Sequence, residues 1–388
     1  MRISAKRIFT AALLPALLAA CATTQVTAPS GPVEVVPAPS AHWRFDDTRP
    51  PGESDGYRPP RKLAVLLPMT GSLATAAGSV RDGLLAGYYG ERRQRPELAF
   101  YDTAGTAAGA AAAHARAILE GADQIVGPLG REEVAAIAQS PSSVPLLTLN
   151  SSDSALPDNV GSFSLSPEDE GSAIAAYLSA RNARRVLVLS SGDDNANRSF
   201  NALRANLQAA GGEIVDTIAV VGEQPGDVTA ALRASASKEG GVDAVVLAIR
   251  GQQARLVAPQ LAAAGLSQRL RIATSQITSG TGKAEEDRVL DGIVFPAEAW
   301  TTQGASALPP AATLARDLPT ARGPAARLFA FGHDAWLLSG WLHHLATHAD
   351  ASMAGATGNL RLQSDGTVVR TPAWAIWSNG SVVAQTGN

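Results

Sequence analysis

Short apolar runs and helix-period segments alternate along most of the chain. The run "KLAVLLP" (Lys62 to Pro68) is apolar at consecutive positions and ends in turn residues, which predicts a buried parallel strand. Leu73, Ala76, Val80, Leu84 and Tyr88 recur at three- and four-residue spacing, so a helix with one apolar face follows. Further strands are predicted at Glu97 to Asp102, Gln124 to Gly127 and Val144 to Asn150. Between them lie an alanine-rich helix ending near Gly121 and a short helix after Arg131, where Glu132 and Glu133 suit the N-terminal dipole. The pattern then repeats. Ser166 is the predicted N-cap of a helix reaching Ala180, with Pro167 first and Glu168, Asp169 and Glu170 in its opening turn. Strands are predicted at Arg184 to Ser190, Glu213 to Val221, Val242 to Ile249 and Leu270 to Gln276, with helices at Asn195 to Ala210 and Gln252 to Ala264.

This alternation predicts an α/β fold of parallel sheets with helices on both faces. The units are too many for one compact sheet, and a charge-rich break near residues 163 to 170 divides them into two doubly wound lobes. The first spans 61–165 and takes back a return segment at about 292–348. That segment comprises "GIVFP" (Gly292 to Pro296) and the helix from Ala325 to His348. The second spans 166–291 and takes the C-terminal strands at about 349–388. Asp365-Gly366 and Asn379-Gly380 are predicted hairpin turns in that tail.

The first sixty residues follow another rule. Arg2, Lys6 and Arg7 precede an apolar stretch, Ile8 to Ala20, too short to span a bilayer, so residues 1–20 are expected to be a signal peptide. Leu18-Ala19-Ala20-Cys21 has the form of a bacterial lipobox, and Cys21, the single cysteine, is the expected lipid attachment point. Ala22 stands where an aspartate retains many lipoproteins at the inner membrane, which favours the outer membrane, facing the periplasm. Eight prolines between Pro29 and Pro60 predict an extended, disordered tether over 21–60.

Composition narrows the function. A lone cysteine excludes an intrachain disulfide framework and a multi-cysteine zinc site. A net charge of −3 gives no basic footprint for nucleic acid. No nucleophile elbow, Walker A loop, dinucleotide fingerprint or zincin motif occurs, so no catalytic residue and no cofactor are expected. His344 and His348 share a helical face near Asp350 but lack a clear third ligand, so no metal is expected. His333-Asp334 point apart on a helix and read as a packing or cleft-edge element. Ligands of open parallel sheets bind beyond the carboxyl ends of the strands. The candidate cleft residues are therefore Met69, Thr70, Gly71, Gly127, Pro128, Asn150, Ser151 and Ser152 from the first lobe. Ser191, Asp193, Arg250 and Ser275 are those of the second. Each also suits a plain turn or cap.

"VLLPMTGSLATAAGSVRDGLLAGYY", "IVGPLGREEV", "FSLSPEDE", "LAIRGQQARLVAPQLAAAG" and "LFAFGHDAWLL", in this order, resemble type I periplasmic binding proteins. The resemblance is strongest to the LppC branch of lipoprotein activators of penicillin-binding proteins. It implies a two-lobed Venus-flytrap clamshell. It also implies a non-enzymatic outer-membrane regulator of peptidoglycan synthesis that binds and activates a class A penicillin-binding protein. Long members carry a helical-repeat domain before the clamshell, where this chain has the proline-rich stretch. Amino-acid-binding relatives place serine and threonine after the Gly-Pro turn, whereas Leu129, Gly130 and Arg131 stand here. An amino-acid pocket of the usual kind is therefore not expected. The alternative is a periplasmic solute-binding receptor or transport component closing on a small ligand.

Overall fold

The computed structural model describes residues 42–385, apart from 140, 153 and 279–282. Cys21, the signal segment and the first part of the expected tether lie outside the described residues. The first lobe begins with β1 (Lys62–Leu67), α1 (Ala74–Gly90), β2 (Glu97–Asp102), α2 (Ala107–Leu119), β3 (Gln124–Val126), α3 (Arg131–Ile137), β4 (Leu146–Thr148) and β5 (Val160–Phe163). The second contains α4 (Pro167–Ala180), β6 (Arg185–Ser190), α5 (Asp194–Ala209), β7 (Glu213–Ala219), α6 (Thr229–Ala236), β8 (Ala244–Ala248), α7 (Gly251–Ala263), β9 (Leu270–Ala273), α8 (Ala284–Asp287) and β10 (Val294–Ala297). Then follow α9 (Ala299–Thr302), α10 (Ala311–Asp317), α11 (Ala325–Thr347), β11 (Met353–Ala354), β12 (Asn359–Leu362), β13 (Thr367–Thr371), β14 (Ala373–Ser378) and β15 (Ser381–Ala384).

The strands form two sheets, ordered β11-β12-β13-β5-β4-β3-β1-β2 and β15-β14-β10-β9-β8-β6-β7. In each, the first strand of the repeat lies between parallel neighbours: β1 pairs with β2 and β3, and β6 with β7 and β8. Alternate side chains of β1 enter different cores, Leu63, Val65 and Leu67 on one face and Ala64 and Leu66 on the other. Continuous apolarity in the sequence is thus the signature of a strand covered on both faces. The predicted cap is in place, with Ser166 Oγ accepting the N–H of Asp169 at 3.1 Å. Asn379 and Gly380 both have positive φ, 51° and 71°, as a two-residue hairpin between β14 and β15 requires.

Two expectations about the lobes need correction. "GIVFP" does not return to the first lobe: β10 lies parallel to β9 and antiparallel to β14. The reason is that Phe295 and Val294 fill the opposite cores of the second sheet, so this strand is central rather than a connector. The C-terminal strands also divide. β13 lies parallel to β5 and brings Val368 into the first core, and only β14 and β15 join the second sheet.

A third correction concerns residues 42–60, expected as part of a contact-free tether. They form a strap against the first lobe. Proline density forbids helix but not docking, and Trp43, Phe45 and Tyr57 supply apolar area to bury. Trp43 and Tyr57 are 8% and 1% exposed. The Arg49 guanidinium, also buried, donates to Asp123 Oδ2 at 2.7 Å and to Gln124 Oε1 at 3.1 Å. Arg44 N–H donates to Asn159 Oδ1, and Asn159 N–H to the carbonyl of His42.

Helices α1 and α11 meet backbone to backbone. A Cβ on Gly83 would overlap the Phe329 carbonyl, and one on Gly332 would overlap that of Val80. The second lobe repeats the device, since a Cβ on Gly171 of α4 would overlap the Ser199 carbonyl of α5. Gly83→Ala should therefore cost about 1–3 kcal/mol by overpacking, read as a lower urea midpoint with unchanged m-value.

Candidate functional site

The sequence-predicted cleft residues fall into three groups rather than one constellation. In the first lobe, Thr70 Oγ1 donates to Asp102 Oδ2 at 2.8 Å, and Asp102 Oδ1 accepts the N–H groups of Met69 and Ala104. The Ala104 N–H, followed by the Thr70 hydroxyl and backbone, holds the Asp102 carboxyl below the ordinary carboxylate range. Gly71 lies in this turn at φ 84°. Asn150 Nδ2 donates to the Leu129 carbonyl at 2.9 Å, tying the loop of Ser151 and Ser152 to the turn of Gly127 and Pro128. Glu133 closes the same region, its Oε2 accepting the Gly130 N–H at 2.7 Å. In the second lobe, Ser191, Asp193 and Arg250 line a cavity of about 220 Å³ with Glu223 and Gln253. Asp193 caps α5 by accepting the Ala196 N–H, and it lies 3.7 Å from Arg250. Most of these polar groups thus hold their own loops in shape. His333-Asp334 belong to the frame as well: Asp334, fully buried, accepts from Ala356 N, Thr357 N and Thr357 Oγ1. The His344 and His348 ring centres lie 4.3 Å apart with the planes tilted by 33°, and no group of three metal-capable side chains occurs among the described residues.

Ser275 leads elsewhere. Its N–H and hydroxyl donate to the two oxygens of Glu170, at 3.0 and 2.6 Å. Glu170 also accepts from Arg327 Nη2 at 2.6 Å, Arg327 contacts Ser275, and Arg327 Nε lies 3.4 Å from Glu298. Arg370, 4% exposed, completes the cluster and donates to the Thr357 carbonyl. The sequence positions explain its importance. The described chain crosses between lobes at β5 to α4, β10 to α11 and β13 to β14. Asp169 and Glu170 follow the first crossing, Glu298 and Arg327 bracket the second, and Arg370 precedes the third. Burial raises the Glu170 carboxyl, but Arg327 and the Ser275 bonds outweigh it and hold it below the ordinary range. Asp169 goes the other way. Burial pushes it up to about 6, against Arg370 and Ser166, with Glu168 and Glu170 adding like charge. Beside the cluster opens a cavity of about 500 Å³ lined by Ser275, Phe295, Glu298, Ala312 and Arg327. Sequence reading singled out only Ser275 here. The acid triplet, read as helix N-terminal charge, was the available signal.

Two doubly wound lobes joined by three crossings define a type I periplasmic-binding-protein clamshell. The chain belongs to the LppC family, whose model, described as "LppC putative lipoprotein", matches residues 57–380. Penicillin-binding protein activator LpoA of Yersinia pseudotuberculosis is 25% identical over 316 residues, 70% of this chain and 47% of the relative. The chain spans about half the length of the first curated relatives it matches. The LpoA C-domain from Haemophilus influenzae, described as a regulator of PBP1A, superposes with a TM-score of 0.72 at 22% identity, covering 84% of this chain and all of that one (100%). A structure described as "a putative branched-chain amino acid ABC transporter" from Chromobacterium violaceum gives 0.64 at 26% identity, covering 81% and 99%.

Two outcomes test the cluster. Arg327→Met removes the cation hydrogen-bonded to the buried Glu170 and should lower stability by about 3–5 kcal/mol, measured by urea unfolding. Asp169 binds its proton more tightly folded than unfolded, where its value is 3.8. Its contribution is therefore full below about pH 4 and is lost as pH rises through about 6. Asp169→Asn should raise Tm by several degrees at pH 7.5, with the two proteins converging near pH 4 in scanning calorimetry.

Proposed function

We propose that this chain is an outer-membrane lipoprotein, anchored through Cys21 and facing the periplasm, that binds and activates a class A penicillin-binding protein. It acts by contact and not by catalysis. Family membership across the whole clamshell, with relatives named as penicillin-binding protein activators, carries this reading. The geometry supports it. A flytrap receptor needs polar cleft groups free for a solute and a hinge free to close. Here Thr70, Asn150 and Asp193 are engaged in their own loops, and buried ion pairs tie the crossings together. No helix among the described residues is long and apolar enough to cross a membrane.

The full chain, mixed with a class A synthase from the same cell, should bind it and raise glycan-strand and cross-link formation several-fold. An absence of both binding and stimulation sinks the activator reading, and tight calorimetric binding of one amino acid or sugar would promote the solute receptor in its place. Cys21→Ala should move the protein from the outer-membrane fraction to the soluble or unprocessed pool. Persistence in that fraction refutes the anchor.

A further inference from the structure

We propose that residues 42–60 form an acid-released strap: protonation of His343 frees it from the first lobe and lengthens the chain between anchor and clamshell. The consequence for reach rests on the lipoprotein reading above, whereas the release itself does not.

The strap is held where it crosses α11. Arg58 Nη1 donates to His343 Nε2 at 2.8 Å, and the same guanidinium donates to the carbonyls of Pro50 and Arg49. One side chain thus gathers the strap and fixes it to one imidazole. The Phe45 ring packs 4.9 Å from that of His343. Gly56, at φ 88°, passes so close over His344 that any side chain there would overlap the ring. At the other end, His42 Nε2 bonds the Val160 carbonyl at 2.7 Å. Three of the chain's six histidines therefore lie on this contact.

Only a neutral imidazole can accept from Arg58, because the protonated ring has two donors and no acceptor. Protonation would set two cations against each other at the distance of a hydrogen bond. The surroundings offer no relief. Arg58 and Arg49 face His343 from the strap, and His348 and His344 from its own helix, and none of these groups is an acid. The nearby carboxylates are already engaged: Asp123 with Arg49 and the N–H groups of Arg61 and Lys62, and Asp46 with Arg61. Burial, then Arg58 and Arg49, hold the His343 imidazole below the ordinary histidine value. The docked strap therefore disfavours the proton that a released strap permits, and docking weakens as pH falls below about 6.5.

Most of the strap also lies before the region shared with the family, which begins at residue 57. Trp43 of the strap packs in the first lobe's core, whereas the cores of the second lobe contain no strap residue and stay in place when the strap leaves. Release frees about 19 residues, or about 60 Å of extended chain at ~3.1 Å per residue.

Hydrogen–deuterium exchange on the full chain, without any synthase, tests this. Protection factors are compared at pH 7.5 and 5.0 for the hydrogen-bonded strap amides of Arg44, Glu53 and Arg58 and for the β6 amides of Val186 to Leu189. The expected result is an at least tenfold loss of strap protection at pH 5.0 with β6 unchanged. His343→Gln, whose carbonyl can still accept from Arg58, should stay protected at both pH values, and His343→Lys should expose the strap already at pH 7.5. Strap protection that stays in constant ratio to β6 overturns the proposal. So does a His343→Gln protein that loses protection with pH as the parent does. Should His343→Gln fail to dock at either pH, the parent's own pH response decides. Failure to stimulate a synthase would refute the functional reading and leave this result standing.

Discussion

Buried charge at the hinge is the constraint on which the two-lobed arrangement depends. Asp169, Glu170 and Glu298 face Arg327 and Arg370, and these side chains come from all three crossings of the described chain. A charge removed from water must be paired, and pairing inside a protein is sensitive to fractions of an ångström. A change in the angle between the lobes would move one crossing relative to the others and separate Glu170, which is buried, from Arg327. Buried ion pairs of this kind add little net stability, but they specify one geometry against its neighbours. That suits a protein whose lobes present a fixed surface better than one whose lobes must close on a solute.

The same preference for fixed geometry runs through the packing. Glycine seams let α1 sit on α11, and α4 on α5, at backbone distance, leaving no slack for sliding. The loops at the strand ends, where a receptor would hold its ligand, spend much of their polarity on one another. What remains outward is the surface of two rigid lobes and a strap laid across one of them.

Much of the fold was legible because its signals are local. Consecutive apolar residues marked the covered strands, Ser166 with Pro167 marked a helix start, and Asn379-Gly380 marked a hairpin. Each of these depends on neighbours in sequence. The misreadings came where partners are distant. "GIVFP" looks the same as a connector or a central strand until β9 and β14 flank it. The α1 face was read from Leu73, Ala76, Val80, Leu84 and Tyr88, yet Gly83 and Gly87 lie at the contact and carry no hydrophobic signal. Proline density obscured the docking aromatics of the strap, because backbone propensity says nothing of a surface waiting elsewhere.

The sequence by itself determined the α/β class, the two lobes, the family and the expectation of a lipidated Cys21, since these rest on periodicity, order and motif. The tertiary structure alone decided which lobe each C-terminal strand joins, where the strap lies and what the acid triplet does. Glu170 is an ordinary first-turn carboxylate in the sequence. It becomes the centre of the hinge only because residues 105 and 157 positions away, Ser275 and Arg327, are brought within hydrogen-bond reach. Long-range pairing of charge carries no signature in local pattern, since its energy arises only once folding has removed the water between the partners.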